Sequence, residues 1–436
     1  MKKIRILQLV AIVFFTVSGG PYGLEPLLAY AGQHGVLVLL LLTPLCWDIP
    51  AIFTVLELNS MMPVTGGYYK WVKHALGTRW GFYEGWWTWL YTFVDLAIYP
   101  VLFITYLSFF MPDISKWHQY FICLAFIWAS AGLNILGIVP VGKVSLILGA
   151  IVLTPFIILF ALAFYHHTGG LVFPSPSLKG IKLPALGMAL YTVMWNCLGW
   201  DNTTTYAEEV EQPVRSYLVS TFSAFALVIM VYFLVIWIAQ LSGINPAKLN
   251  NDGFPALGEL ISGKWLGALI AIGGMASAMG IYASVLLSVS RVPMVMAGDN
   301  LLPATLNKRH KRFKTPYISI IVCSIVVSGM VLWGFTDLLI IDVTIYGAGL
   351  ALEYVSLIRL RIKEPGTHRP FRIPLGIPGL CVGLILPVSV YFIALGGAFS
   401  STSSAVSAAI FAILILLSAE LLWQIIAYKN KNEGSI

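Results

Sequence analysis

Ser18-Gly19-Gly20-Pro21-Tyr22-Gly23 interrupts the first long apolar run of the chain, and Leu198-Gly199-Trp200-Asp201-Asn202-Thr203 interrupts the sixth. Glycine lacks a Cβ and proline lacks an N–H, so regular helix hydrogen bonding fails at the first stretch. The second starts apolar and turns polar at about mid-depth, where Asp201 and Asn202 suit the N-cap of a helix that restarts. Unpaired backbone at membrane depth is costly unless it lines a cavity or is buried in protein. The two breaks lie five apolar segments apart, in segments of opposite direction. That pattern predicts an inverted repeat with a site between two broken helices. A pair of packing kinks is the plainer reading of the same glycines.

The remainder of the 436 residues agrees with a membrane setting. Hydrophobic residues make up 58% and charged residues 10%, against about 25% charged in a soluble domain. This excludes a soluble globular enzyme, a disordered protein and a secreted disulfide scaffold. The expected fold is an all-α membrane protein of twelve transmembrane helices, near 7–31, 36–60, 82–110, 117–137, 142–165, 183–207, 217–241, 264–290, 317–334, 337–360, 378–397 and 403–427. Residues 7–165 form the first repeat of the expected five-plus-five inverted repeat, 183–360 the second, and 378–427 two extra helices of a single domain.

The net charge of +7 follows topology. With both termini cytoplasmic, all but Lys116, Lys179, Lys182, Lys248 and Lys264 of the 26 Lys and Arg residues fall on the cytoplasmic side, as the positive-inside rule requires. The clusters from Lys308 to Lys314 and from Arg359 to Arg372 then face the anionic leaflet. The lipid bilayer, and not nucleic acid, is the partner of this charge. The start Met1-Lys2-Lys3-Ile4-Arg5 imitates a signal peptide, but the run behind it holds the Gly-Gly-Pro break instead of a cleavage site. With no organelle presequence, a bacterial inner membrane is the expected location. Cys46, Cys123, Cys197, Cys323 and Cys381 all sit in apolar segments without metal spacing and are expected to be buried, inert thiols. No cofactor motif, metal site or nucleophile–base constellation stands out, so the expectation is that the chain is not an enzyme.

Ionisable residues inside spans are functional candidates by default. Asp48 and Glu57 lie on span two, Glu25 just after the first break, and Asp95 on span three with Tyr99 one turn on. Asp201 sits at the second break, Asp342 and Glu353 lie on span ten, and Glu420 on span twelve. No Lys or Arg falls near mid-membrane to neutralise them, which argues for a cationic substrate, a proton as coupling ion, or both. Asp201, Glu57 and Glu353 are the proton-coupling candidates, although Glu57 and Glu353 lie toward the cytoplasmic ends and equally suit backbone or loop partners. Glu25 either caps the helix after the break or presents charge to an amine. Free carbonyls and N–H groups at the breaks, around Gly19, Gly20, Gly23 and Gly199, suit amines and amino acids. Trp195 and Trp200 flank the second break and Tyr22 lies in the first; an aromatic face covers a bound cation. Ser277, Ser284 and Ser288 on span eight fit either a sodium site or helix packing.

These residues resemble the amino acid–polyamine–organocation transporters. The run Pro63-Val64-Thr65-Gly66-Gly67-Tyr68-Tyr69-Lys70-Trp71-Val72 looks like that superfamily's first cytoplasmic loop. Ala207-Glu208-Glu209-Val210-Glu211-Gln212-Pro213 looks like its motif after span six, and Ala297-Gly298-Asp299-Asn300-Leu301-Leu302-Pro303 like the end of its span eight. The finer match is to the polyamine-uptake branch, related to the L-type amino acid transporters. It rests on Ser18 to Glu25, on Glu84-Gly85-Trp86 with Asp95 and Tyr99-Pro100, on Trp200-Asp201-Asn202, and on Leu352-Glu353-Tyr354. The resemblance implies a five-plus-five fold working by alternating access, with substrate held between spans 1, 3, 6, 8 and 10. It implies that Gly19 to Gly23 form the first backbone site, with Trp195 at the aromatic gate position and Asp201 at the acidic position of span six; with Asp95, Tyr99, Gly199 and Trp200 from the reading above, the expected substrate site is Gly19, Gly20, Tyr22, Gly23, Asp95, Tyr99, Trp195, Gly199, Trp200 and Asp201. One departure stands out: where the branch carries Trp-x-x-Pro-Glu in span two, this chain has Trp47-Asp48-Ile49-Pro50-Ala51. The leading expectation is proton-coupled uptake of a polyamine or similar small organic cation. The alternative is an amino acid permease or exchanger of the same fold, and a non-transporting sensor or partner-binding subunit is the third reading.

Overall fold

The computed structural model describes residues 3–166, 173–331 and 335–432. Seventeen α-helices run in chain order. They are α1 Ile6–Val17, α2 Leu27–Thr43, α3 Ile49–Met61, α4 Gly67–Leu76, α5 Thr78–Leu107, α6 Lys116–Leu136, α7 Ile138–His166, α8 Leu183–Asn196 and α9 Pro213–Leu241. There follow α10 Pro246–Ser262, α11 Lys264–Val289, α12 Arg291–Gly298, α13 Tyr317–Met330, α14 Phe335–Lys363, α15 Ile377–Gly383, α16 Ile385–Phe399 and α17 Ser403–Asn432. Among the described residues there is no β-strand, only the isolated bridges Ile4–Val210 and Thr65–Tyr206.

Nine helical stretches among the described residues are long and apolar enough to cross a membrane, and α1 and α13 are shorter apolar helices. Their burial sorts them into layers. The apolar windows of α5, of Lys264–Gly298 and of Leu338–Lys363 are 72%, 78% and 78% buried, whereas those of α7, Ile377–Phe399 and α17 are 22%, 17% and 28% buried. Helices that are apolar all round yet mostly exposed belong against lipid. So α5, α11 and α14 form the centre, and α7, α16 and α17 the lipid-facing rim. Cys381 is exposed on this rim and Cys46 half-buried, which corrects the expectation that every thiol is buried.

Both breaks fall where the sequence places them, but they differ in build. Between α1 and α2, Gly19, Gly20 and Gly23 adopt φ of 63°, 112° and 97°. At Gly23 a Cβ would also stand 2.5 Å from the Trp195 ring, so only glycine fits. The helix beyond the break is short: it runs from Leu27 to a kink at Gly32, φ 66°, and continues straight into span two. The second break does not restart as the α-helix that Asp201 and Asn202 suggest. After Gly199, φ 95°, the chain forms two short 3₁₀ turns, Asn202–Thr205 and Ala207–Glu209. The Thr204 and Thr205 hydroxyls donate back to the carbonyls of Asp201 and Asn202, at 2.6 and 2.9 Å. Such back-bonding offers the backbone an alternative to the α-helical ladder.

Span two carries a π-helical turn, Pro44–Asp48, that the sequence reading lacks. It also lacks α10, the helix between spans seven and eight. Residues 332–334, the expected end of span nine, lie outside the described residues.

Candidate substrate site

The breaks are tied to each other by one side chain. The Tyr232 hydroxyl of α9 lies 2.6 Å from Ser18 Oγ in the first break and 2.6 Å from the Asn196 carbonyl at the end of α8. Around this tie the backbone donors of the first break are largely satisfied from within. Gly20 N–H donates to Ser18 Oγ at 3.1 Å, and Gly23 N–H donates to Glu25 Oε2 at 2.6 Å. The other Glu25 oxygen accepts from the Tyr106 hydroxyl. Glu25 does not cap the following helix; it folds back onto the break. Beside it lies a cavity of about 310 Å³ lined by Gly23, Glu25, Tyr106, Thr192, Asn250 and Asn251.

Below that cavity, α5 and α14 bring their acids together. On α5, Glu84, Thr88, Tyr91, Asp95 and Tyr99 share one face by their spacing of three to four residues. On α14, Asp342, Tyr346, Gly349 and Glu353 do the same. Tyr99 donates to Asp95 and stacks near-parallel on Trp195 at 6.2 Å between centroids. The Trp195 indole also donates to Asp95. Tyr346 donates to Asp201 at 2.8 Å, and Tyr91 donates to Asn202 at 2.9 Å. Glu84 and Glu353 both lie within electrostatic range of Asp201. All of these carboxyls are sealed from solvent: Asp95 and Asp201 are 3% exposed, Glu84 1%, and Asp342 and Glu353 0%.

What distinguishes this cluster is the lack of basic partners. Among the described residues, the buried basic side chains are Arg291, Arg361 and Arg369, and each is already matched to an acid outside this cluster. Arg291 pairs with Glu209 at 2.7 Å and lies over the Tyr206 ring. Arg361 takes Glu57 in a two-pronged ion pair, with Arg369 at 3.5 Å and the Ile373 N–H at 2.8 Å as further partners. Glu57 therefore stands apart from the other proton-coupling candidates. A carboxylate held by two guanidinium groups anchors the end of span two to the loop after span ten. Glu420 likewise pairs with Arg79, at 2.5 Å.

Two aromatic candidates also turn elsewhere. Tyr22 donates to the Ile270 carbonyl at 2.8 Å and packs on Tyr106 and Phe156, so it wedges the first break against α11 and α7. Trp200 donates to Asp48 at 3.0 Å, which accounts for an acid at the π-turn of span two. Of the span-eight serines, Ser288 bonds the Ser284 carbonyl at 3.2 Å within its own helix, and Ser277 lies against Gly19. No group of three or more His, Cys, Asp or Glu arranged for a metal ion occurs among the described residues.

On the side of the molecule away from the cavity, Asp299 receives hydrogen bonds from Tyr69 and Lys70, at 2.6 and 2.8 Å, and pairs with Lys73 at 2.8 Å. Partial burial pushes the Asp299 carboxyl up, but these donors outweigh it and hold it at about 2. Thr65 donates to Glu208 at 2.7 Å beside the Arg291–Glu209 pair. Together these contacts tie α4 and the Ala207–Glu209 turn to α12 and the residue after it.

Comparison with known proteins agrees with this architecture. The family model for amino acid permeases matches residues 4–418. The polyamine transporter RMV1 of Arabidopsis thaliana is 32% identical over 89% of this chain and 79% of its own length. The polyamine transporter PUT1 of Oryza sativa subsp. japonica is 31% identical over 88% of this chain and 72% of its own. An uncharacterized transporter of Mycobacterium tuberculosis is 26% identical over 69% of this chain and 67% of its own. With a family match across nearly the whole length, the chain belongs to the amino acid permease family of multi-pass membrane transporters.

Proposed function

We propose that this protein is a secondary active importer of polyamines or similar small organic cations, driven by protons and working by alternating access. One observation carries the reading: Glu84, Asp95, Asp201, Asp342 and Glu353 are buried together without a basic partner. Uncompensated carboxylates in low dielectric are costly, so a cationic ligand or protons must supply the missing charge. The similarity to polyamine transporters points the same way. The amino acid reading needs a free backbone N–H at the first break for a substrate carboxylate, and there Gly23 N–H is taken by the chain's own Glu25.

In this reading the chain crosses a bacterial inner membrane twelve times as a five-plus-five inverted repeat, with both termini cytoplasmic. α1 with the stretch from Leu27 to the Gly32 kink, the short α8 with its 3₁₀ continuation, and α13 add three spans to the nine longer stretches, the first of which then begins after that kink. The cavity beside Glu25 faces outward, and the Asp299 and Arg291 clusters form the closed inner side. Substrate amines sit on Asp95, with Trp195 and Tyr99 as aromatic walls, and on the carbonyls of the breaks. Asp201 and Glu353 exchange a proton as substrate arrives, because two adjacent carboxyls resist being ionised together.

Asp201→Asn tests the coupling. In proteoliposomes with an inward proton gradient, the wild-type chain accumulates labelled spermidine and an uncoupler abolishes the accumulation. The variant equilibrates spermidine without concentrating it. Full concentrative uptake by Asp201→Asn removes Asp201 from the proton path.

A further inference from the structure

The acids between α5 and α14 are arranged as a ladder. Glu84 and Asp95 lie eleven residues apart on α5, and Asp342 and Glu353 lie eleven apart on α14. Each interval is about 16 Å of helix axis. The two faces meet in antiparallel register. At one end Glu84 packs on Gly349, where a Cβ would stand 3.1 Å from Glu84 Oε1, with Glu353 one turn on. In the middle the Tyr91 and Tyr346 rings meet edge to face at 5.5 Å, and Tyr346 holds Asp201. At the other end Asp342 lies within electrostatic range of Asp95. The equal intervals place a pair of carboxyls at each pole and one carboxyl between them.

A second observation concerns what these acids lack. Both oxygens of Asp342 and Glu84 Oε2 have no hydrogen-bond partner, and both side chains are at least 99% buried, while the equally buried Glu353 meets the Asp201 carboxyl. Buried polar groups are ordinarily satisfied, and leaving one unmade costs about 1–3 kcal/mol. These oxygens lie on the faces that α5 and α14 turn toward each other, at both poles. Their missing partners therefore belong in the space between the helices.

The geometry points to a substrate bound end to end along this ladder: an extended oligoamine with one terminal ammonium at Asp95 and Asp342 and the other at Glu84 and Glu353. Asp201 serves an inner nitrogen, and the methylene chain runs alongside the touching Tyr91 and Tyr346 rings. An extended chain of C–C and C–N bonds advances about 1.25 Å per bond. A diamine with four methylenes thus reaches roughly 6 Å, and a diamine with twelve, or a tetraamine with ten, about 16 Å. Only the longer molecules engage both poles at once. Glu84 and Asp342 become specificity-determining residues that select for length and not merely for charge. This rests on the cation reading above and adds to it a ruler.

The test uses unbranched α,ω-diamines of four to twelve methylenes, which differ in length at constant charge. Binding to the purified full-length protein is read from its thermal stabilisation in detergent, with leucine as the amino acid control. Affinity is expected to rise about tenfold or more from the shortest to the longest diamine. Glu84→Gln is expected to flatten the series, so that the twelve-methylene diamine binds no more than about twofold tighter than the four-methylene one. Asp342→Asn, at the opposite pole, provides a second variant should the first fail to fold, and is expected to flatten the series too. Diamine binding without dependence on length, or a length dependence that survives both variants, overturns the ladder and leaves the cation reading standing. Stabilisation by leucine and by no amine overturns both.

Discussion

The Glu25 carboxylate accepts the Gly23 backbone N–H at 2.6 Å, two residues away across the end of the first break. The chain's own anion thus takes the donor that a substrate carboxylate would use, and Tyr106 pins the second oxygen. Glu25→Ala is expected to lower stability by about 1–3 kcal/mol, because it leaves the buried Gly23 N–H unmade. Glu25→Gln keeps an acceptor and restores most of that loss. Melting temperatures of the two variants measure the difference; equal melting points would mean that the contact holds nothing in place.

Tyr232 connects the breaks without touching an acid. Tyr232→Phe removes one hydroxyl and is expected to cost about 1–2 kcal/mol. More telling is its effect on turnover, since the tie links the two elements whose relative motion opens the site. Uptake rate is expected to fall severalfold while substrate affinity stays within about threefold. A variant that loses affinity and keeps its rate would place Tyr232 in the binding site instead.

Glu57 illustrates a buried acid with a structural task. Glu57→Gln strands Arg361 and Arg369, and breaking a buried pair in this way costs about 3–5 kcal/mol. Replacing Arg361 by Met in the same chain is expected to recover part of that loss. Wherever the single variant folds, its dependence on the proton gradient matches wild type. Loss of coupling in a folded Glu57→Gln protein would return Glu57 to the proton path.

Asp299 gives a pH dependence with a definite sign. Its carboxyl is held at about 2, below the ordinary value of about 3.9. The ionised form is therefore favoured in the folded state, and its contribution is present above about pH 4 and lost as pH falls toward 2. Because the site is only partly buried, solvent screening limits it to roughly 1 kcal/mol or less. Wild type and Asp299→Asn should differ in melting temperature at pH 6 and converge as pH drops through this window. A gap that widens toward low pH would contradict the assigned partners.

The glycine breaks were legible in the sequence because glycine and proline act locally, through missing atoms. The 3₁₀ path after Asp201 was not, because the Thr204 and Thr205 hydroxyls override a helix that the cap residues alone favour. Asp95, Tyr99, Trp195 and Asp201 stood out as polar or aromatic groups in apolar runs, and the fold gathers them. Trp200 and Tyr22 stood out for the same reason, yet their polar atoms are used up by Asp48 and Ile270. Glu84 stands in the sequence only as part of a family motif, and Tyr91 and Tyr346 carry no mark of their own, although their spacing with Asp95, Asp342 and Glu353 lies in plain view. The signal was the match between two helices, and a single helix shows only half of it. Tyr232 carries no sequence signal, since its role exists only where three segments meet.

The central claim, a cation site built from unpaired acids, is tested most directly by substrate choice in proteoliposomes under an inward proton gradient. Labelled putrescine and spermidine are compared with leucine and arginine, with and without an uncoupler. The account predicts accumulation of polyamines that collapses with the uncoupler and little uptake of leucine. Uptake or exchange of leucine with no polyamine signal would contradict it, and would mean that the acids between α5 and α14 serve only protons.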